Sequence, residues 1–332
     1  VNILILGGGG VIGQKLARAL VARGHLRGRE ITRLTLADIN PPAGIDGAPM
    51  PVLMWSCDIA DPASVNACIA SDTDVIYLLA AIVSAHAEED FDAGWRINLM
   101  GTINVLARAR ATATTPVVVF TSSIAVYGGE VPDPIFDHTF LNPQTSYGAQ
   151  KAMGELLLND YSRKGYVDGR GFRLPTISVR PGKPNRAASS FMSSIVREPL
   201  NGTEAVCPVD EDFPHYYLSP RKCIENLIVG TEVDAEVLGA NRCMMMPGRL
   251  WTIRQLIDAM TAVAGPEPAR LIRWEAQPEI QRIVKGWRFD LRPEKALKLG
   301  LTADDGYEDN VRYYLADDQP AAISLLAGDK SH

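Results

Sequence analysis

Four consecutive glycines, Gly7 to Gly10, follow the apolar run Ile3-Leu4-Ile5-Leu6 and constrain this chain more than any other segment. Ile12, Leu16 and Leu20 then recur at helical spacing, and Gly24 supplies a C-terminal stop. A buried strand that turns through glycine into a helix opens a βα unit. Gly7, Gly10 and Gly13 have the spacing at which backbone turns tightly and approaches a pyrophosphate at a helix N-terminus, where Val11 and Ile12 begin the helix. A second glycine pattern, running through Gly8, fits the same segment, and both assignments stay open at this point.

The alternation continues. Leu34 to Ala37, Val52 to Trp55, Val75 to Leu79, Val117 to Phe120 and Ile177 to Val179 read as short buried strands. Helices fit between them, notably Asp92 to Ala111 and Tyr147 to Arg163. Strands buried on both faces and separated by helices predict an α/β fold with a doubly wound parallel sheet. The pattern changes after Arg180-Pro181-Gly182. We expect residues 1–181 and about 208–240 to form one domain, and residues 182–207 and 241–332 a smaller C-terminal α/β domain. Met244-Met245-Met246 is expected as a buried strand of the smaller domain. Thr252 and Gln255 suit a capping box before the apolar face Ile253, Leu256, Ile257 and Met260, and Gly265 stops that helix. The small-residue tail after Asp317 is expected to fray.

Asp38 ends the second strand, where a carboxylate accepts from both ribose hydroxyls of an adenosine and repels a 2′-phosphate. NAD is therefore expected over NADP. Asp58 and Ile59 follow the third strand and are placed beside adenine. Leu79, Ala80 and Ala81 follow the fourth, where small residues let a cofactor pass close to the sheet.

Composition narrows the function. Hydrophobic residues make up 46% and charged residues 22%, an ordinary globular balance. A net charge of −6 gives no electrostatic case for nucleic acid or an anionic membrane. The longest apolar stretch, Val75 to Val83, is too short to span a bilayer. Val1 runs straight into the first strand, so no leader peptide is expected. Five dispersed cysteines without a C-x-x-C pair suit free thiols in a reducing compartment, and a cytoplasmic location is expected. The five histidines form no ligand-spaced cluster, so no metal site is expected.

Tyr147 and Lys151 lie one helical turn apart if the stretch is helical, with Thr121-Ser122-Ser123 upstream. A fixed ammonium favours the ionised phenol, which predicts a Tyr147 pKa lowered toward the range of a general base. The Ser123 hydroxyl can hold a substrate oxygen beside it. Both residues are placed at the carboxyl edge of the sheet, with the glycines.

Taken together, Gly7-x-x-Gly10-x-x-Gly13, Asp38, Asp58, Asn98, Thr121-Ser122-Ser123-x-x-Val126-Tyr127-Gly128, Tyr147-x-x-x-Lys151 and Arg180-Pro181-Gly182 resemble the extended short-chain dehydrogenase/reductase family over nearly the whole chain. The resemblance implies a Rossmann fold, NAD as cofactor and a homodimer paired through the Asp92–Ala111 and Tyr147–Arg163 helices. It implies Tyr147 as acid/base, Lys151 on the nicotinamide ribose and Ser123 on the reacting hydroxyl. Asn98 would support the site, and Pro175 and Thr176 would border the nicotinamide. One departure is Leu79-Ala80-Ala81-Ile82-Val83-Ser84, where many members carry an Asn- or Gly-containing turn.

Residues 180–191 and 197–202 resemble a narrower group that oxidises the C2 hydroxyl of four-carbon sugar acids such as D-erythronate with NAD. Lys183, Arg186 and Arg197 suit an anionic substrate, and Ser84, Asn185, Ser189 and Ser190 suit its hydroxyls. The same charges suit the diphosphate of a sugar nucleotide. A sugar-acid dehydrogenase, a sugar-nucleotide epimerase or dehydratase with retained NAD, and a non-catalytic NAD-binding regulator are thus the three readings; an intact Ser123, Tyr147 and Lys151 set argues against the third.

Overall fold

The computed structural model describes residues 1–182, 188–287 and 290–319. The strands of its two larger sheets are β1 (Asn2–Leu6), β2 (Arg33–Asp38), β3 (Val52–Ser56), β4 (Val75–Leu78), β5 (Val117–Ser123), β6 (Asp168–Leu174), β7 (Thr176–Ile177), β8 (Pro214–Leu218), β9 (Cys243–Met245) and β10 (Arg249–Thr252). The main helices are α1 (Val11–Arg23), α2 (Gly101–Arg110), α3 (Ser146–Arg163), α4 (Phe191–Leu200), α5 (Pro220–Glu232), α6 (Ile253–Ala264) and α7 (Tyr307–Asp318).

The large sheet has seven strands in the order β9-β6-β5-β4-β1-β2-β3, all parallel. Ile3, Leu4, Ile5, Leu6, Val75, Ile76 and Val118 are buried, so β1, β4 and β5 feed apolar layers on both faces. In register, Leu6 pairs with Ala37 and Leu78, Leu78 with Phe120, and Ser123 with Leu174. Gly7, Asp38, Leu79, Ser123 and Pro175 therefore emerge along one edge of the sheet.

Two strand assignments change. The sixth strand is Asp168–Leu174 rather than Ile177–Val179; Thr176–Ile177 instead joins β8 and β10 in a three-stranded sheet. Cys243–Met245 does not belong to the smaller part: it pairs with β6 and closes the large sheet as its seventh strand. The expected helix over Asp92–Ala111 is also not uniform. A short turn (Phe91–Gly94) passes through a widened π-helical turn (Trp95–Met100) before α2 begins.

The smaller part has its own apolar core, in which Met192, Ile195, Leu256, Met260 and Val311 join α4, α6 and α7. The expected capping box on α6 is present: Thr252 Oγ1 accepts from Gln255 N at 3.3 Å, and Gln255 Oε1 accepts from Thr252 N at 2.8 Å.

Candidate active site

The glycine loop connects β1 to α1. A Cβ on Gly13 would stand 2.2 Å from the Gly7 carbonyl oxygen and 2.8 Å from Gly8 Cα, so only glycine lets α1 start this close to the loop. Gly9 and Gly10 are exposed. The N-terminus of α1 has neither a side-chain cap nor an acidic residue in its first turn. Unclaimed N–H groups at the positive end of a helix suit an anion, so this cradle fits a dinucleotide pyrophosphate. Beside it, Asp38 Oδ2 accepts from Gly9 N at 3.0 Å and Oδ1 from Ile39 N at 2.8 Å, which aims the carboxylate at the cradle's rim.

The remaining nucleotide-side positions follow the same edge. Asp58 Oδ1 accepts from Ala60 N at 2.9 Å and folds the loop after β3. Ile59 is buried, and its carbonyl accepts from Asn104 Nδ2 at 3.0 Å. Leu79 N and Ala80 N both donate to Leu6 O, at 2.9 and 3.0 Å, so the segment after β4 lies directly beside the glycine loop. Ala81 is exposed there. Pro175 is buried between β6 and β7.

Asn98 sits in the π-helical turn and is buried. Its Oδ1 accepts from Ile82 N at 2.9 Å, and its Nδ2 donates to Ile82 O at 3.2 Å and to Gln150 Oε1 at 2.8 Å. The amide is thus occupied by protein groups: it braces the segment after β4 against α3 instead of turning toward a cofactor.

The reacting end is built by β5 and α3. Thr145 caps α3, its Oγ1 accepting from Gly148 N at 3.0 Å, and Tyr147 lies in the first turn. Ser123 ends β5, and its hydroxyl lies near enough to the Tyr147 phenol to lower the phenol's pKa. Lys151, one turn on, is buried, and its Nζ donates to Thr121 O at 2.8 Å. It stands 5.6 Å from the centre of the Tyr147 ring.

The electrostatics differ from the sequence expectation. Burial pushes the Tyr147 pKa up to about 12, against the pull of the nearby Ser123 hydroxyl and the positive charge of Arg180. Burial pushes Lys151 down to about 8. The cation that favours the phenolate here is Arg180, because the Lys151 ammonium is turned to the Thr121 carbonyl. The Arg180-Pro181-Gly182 signal was in the sequence; nothing in its spacing showed that the guanidinium returns to Tyr147.

Arg197 also plays a different part from the one expected. It is buried in α4 and donates to Arg180 O at 2.9 Å, Ser194 Oγ at 3.1 Å and Glu198 Oε1 at 2.6 Å. Its fork is spent on protein acceptors, so it holds Arg180 in place and is not an open carboxylate receptor. Ser84 is half-buried at the start of a short helix after β4, and Ser190 is buried just before α4. Lys183, Asn185 and Arg186 lie outside the described residues. His215 is buried, with Nε2 2.6 Å from Thr176 Oγ1, and burial pushes its pKa down to about 3. Among the described residues no cluster suits a metal ion, and no helix is long and apolar enough to cross a membrane.

A Rossmann sheet with a glycine cradle, a carboxylate at the cradle's rim and a Ser-Tyr-Lys set on one edge defines a nicotinamide-dependent oxidoreductase. Residues 3–211 match the NAD dependent epimerase/dehydratase family, and the chain belongs to it. It is 47% identical to a D-erythronate dehydrogenase from Cupriavidus necator over 95% of this chain and 98% of that one. It is 40% identical to a D-erythronate dehydrogenase from Haemophilus influenzae, with 95% and 98% covered. A solved structure described as a nucleoside-diphosphate-sugar epimerase from Agrobacterium tumefaciens superposes with a TM-score of 0.92 at 43% identity, covering 96% of this chain and 94% of that one. The chain is an NAD-dependent oxidoreductase.

Proposed function

We propose that this protein oxidises the C2 hydroxyl of a four-carbon sugar acid of the D-erythronate type to the 2-oxo acid. The observation that carries the reading is the meeting of Ser123, Tyr147 and Lys151 at the edge that holds the glycine cradle, in a chain with two near-full-length relatives named D-erythronate dehydrogenase.

Ser123 holds the reacting hydroxyl, and Tyr147 takes its proton. Lys151 joins the ribose of the nucleotide to the backbone of β5. Gly7, Gly10, Val11, Ile12 and Gly13 hold the pyrophosphate, Asp38 the adenosine ribose, Asp58 and Ile59 the adenine. Leu79, Ala80, Ala81 and Pro175 border the cofactor, and Asn98 braces its wall. When bound, NAD accepts the hydride from C2. Ser84, Asn185, Arg186 and Ser190 are proposed around the substrate, and Arg180, its carbonyl held by Arg197, supplies the charge that the substrate carboxylate needs. The substrate is held by the smaller part, residues about 182–207 and most of 241–332, against the nucleotide-binding part.

The epimerase reading keeps one specific support, the likeness to the Agrobacterium tumefaciens structure. The two separate on cofactor turnover. Purified protein mixed with NAD and D-erythronate should release NADH, seen by its absorbance, and Tyr147→Phe should not. No NADH from any four-carbon sugar acid, together with NAD retained through purification, overturns the dehydrogenase reading.

We infer a homodimer through the outer faces of the π-helical turn, α2 and α3, where Trp95, Met100 and Leu156 are exposed. A cytoplasmic setting is supported by five free, buried cysteines.

A further inference from the structure

A buried charged cluster lies behind the catalytic groups. Glu155 on α3 accepts from Ser122 Oγ at 2.5 Å and from Arg173 Nε and Nη2 at 2.9 and 2.7 Å. Arg173 on β6 also donates through Nη1 to the Tyr127 hydroxyl at 2.5 Å. The Cys243 thiol on β9 lies near Glu155 and Arg173, and burial and the Glu155 charge push its pKa up. Glu155 and Arg173 are 2% and 3% exposed. One carboxylate thus gathers groups from two adjacent strands, β5 and β6.

Its position on the helix matters. Tyr147, Lys151 and Glu155 follow at intervals of four and lie along one face of α3. They face three consecutive residues of β5: Lys151 bonds to Thr121 and Glu155 to Ser122, and Tyr147 lies beside Ser123. Arg173 pairs in register with Ser122, two residues before Pro175. Removing two ions from water is costly, and an apolar pair of the same size would often hold a core as well. Ions add directional bonds, which packing does not.

We propose that Glu155, clamped by Arg173, is a positioning residue that sets the register of α3 against β5 and so holds Tyr147 and Lys151 on Ser123 and Thr121. The proposal rests on the reading of Ser123, Tyr147 and Lys151 as the reacting set.

The test compares the wild-type chain with the apolar pair Glu155→Met/Arg173→Met and with Glu155→Gln. Each is measured for NAD affinity, melting temperature, kcat against pH, and the phenolate absorbance of Tyr147, assigned by Tyr147→Phe. The expected result is near-wild-type NAD affinity with kcat down about 10- to 100-fold, the scale of a small misplacement of reacting groups, and a displaced Tyr147 titration. Wild-type kcat and titration in the apolar pair overturn the proposal, since packing alone then sets the register. Should the apolar pair not fold, Glu155→Gln decides. An unchanged kcat and titration in that variant, or a loss of NAD affinity as large as the loss of kcat, overturns the proposal; a kcat loss with NAD affinity kept supports it. A wild-type protein that oxidises no four-carbon sugar acid sinks the functional reading alone, and the Tyr147 titration still compares the variants.

Discussion

Gly148 lies against the carbonyl of Ala125 so closely that a Cβ on it would sit 2.2 Å from that oxygen. The contact sets how near the start of α3 comes to the turn after Ser123. Gly148→Ala must push the helix start away and separate Tyr147 from Ser123. We expect kcat to fall about 100-fold, as for a misplacement near 1 Å, with NAD affinity unchanged. Steady-state kinetics beside a cofactor titration check this; an unchanged kcat would show that the site tolerates the displacement.

Lys151 makes the stability of the protein depend on pH. Its pKa falls from 10.5 to about 8 on burial, so the unfolded chain binds more protons between these values and stability rises with pH across that window. The charge penalty is fully present below about pH 8 and gone above about pH 10.5, a span worth on the order of 3 kcal/mol. Lys151→Met lacks it. The stability advantage of Lys151→Met over wild type should therefore shrink as pH rises from 8 to 10. Denaturant melts at several pH values measure it, and a constant difference contradicts the assignment. Tyr147 acts oppositely: its raised pKa removes stability above about pH 10.

Asp38 is aimed at the rim of the cradle by Gly9 N and Ile39 N. Asp38→Ala removes a charge-assisted acceptor of about 1.5–3 kcal/mol, so KM for NAD should rise about tenfold or more while NADP becomes usable. Parallel kinetics with both cofactors decide; an unchanged ratio would place the ribose elsewhere.

Arg180 and Arg197 should differ in kind. Arg180→Met removes the proposed carboxylate partner and the charge that favours the Tyr147 phenolate, so kcat/KM for the sugar acid should fall about 100-fold and its pH optimum move upward. Arg197→Met acts only through the Arg180 backbone, and a smaller loss, mainly in KM, is expected. Equal losses would contradict this division.

Much of the nucleotide side was legible in the sequence because one strand edge and a few glycines dictate it. Gly7 to Gly13 and Asp38 stand where strand-and-helix reasoning puts them. The sixth strand was not legible because Asp168-Gly-Arg-Gly-Phe-Arg-Leu174 carries charges that read as surface. Those arginines are buried with the help of distant partners: Arg170 by the Val233 carbonyl, beside its neighbour Asp168, and Arg173 by Glu155. Periodicity cannot see such pairs. The same limit hid the role of Arg197, whose Arg180 acceptor is met only once α4 packs under Arg180. The lowered phenol pKa followed from spacing alone, whereas burial and the Thr121 carbonyl decide the outcome.

The seventh strand gives the chain a temporal order. Cys243–Met245 covers the outer edge of β6, yet it is made about 70 residues later, after the chain has passed through the first segment of the smaller part. During vectorial synthesis, the unpaired N–H and C=O groups of β6 stay open until the chain has been made through Met245, and an open strand edge invites pairing with other chains. A break between the two parts would leave that edge bare for good, so the halves cannot be separated as independent, soluble pieces simply by cutting near Gly182.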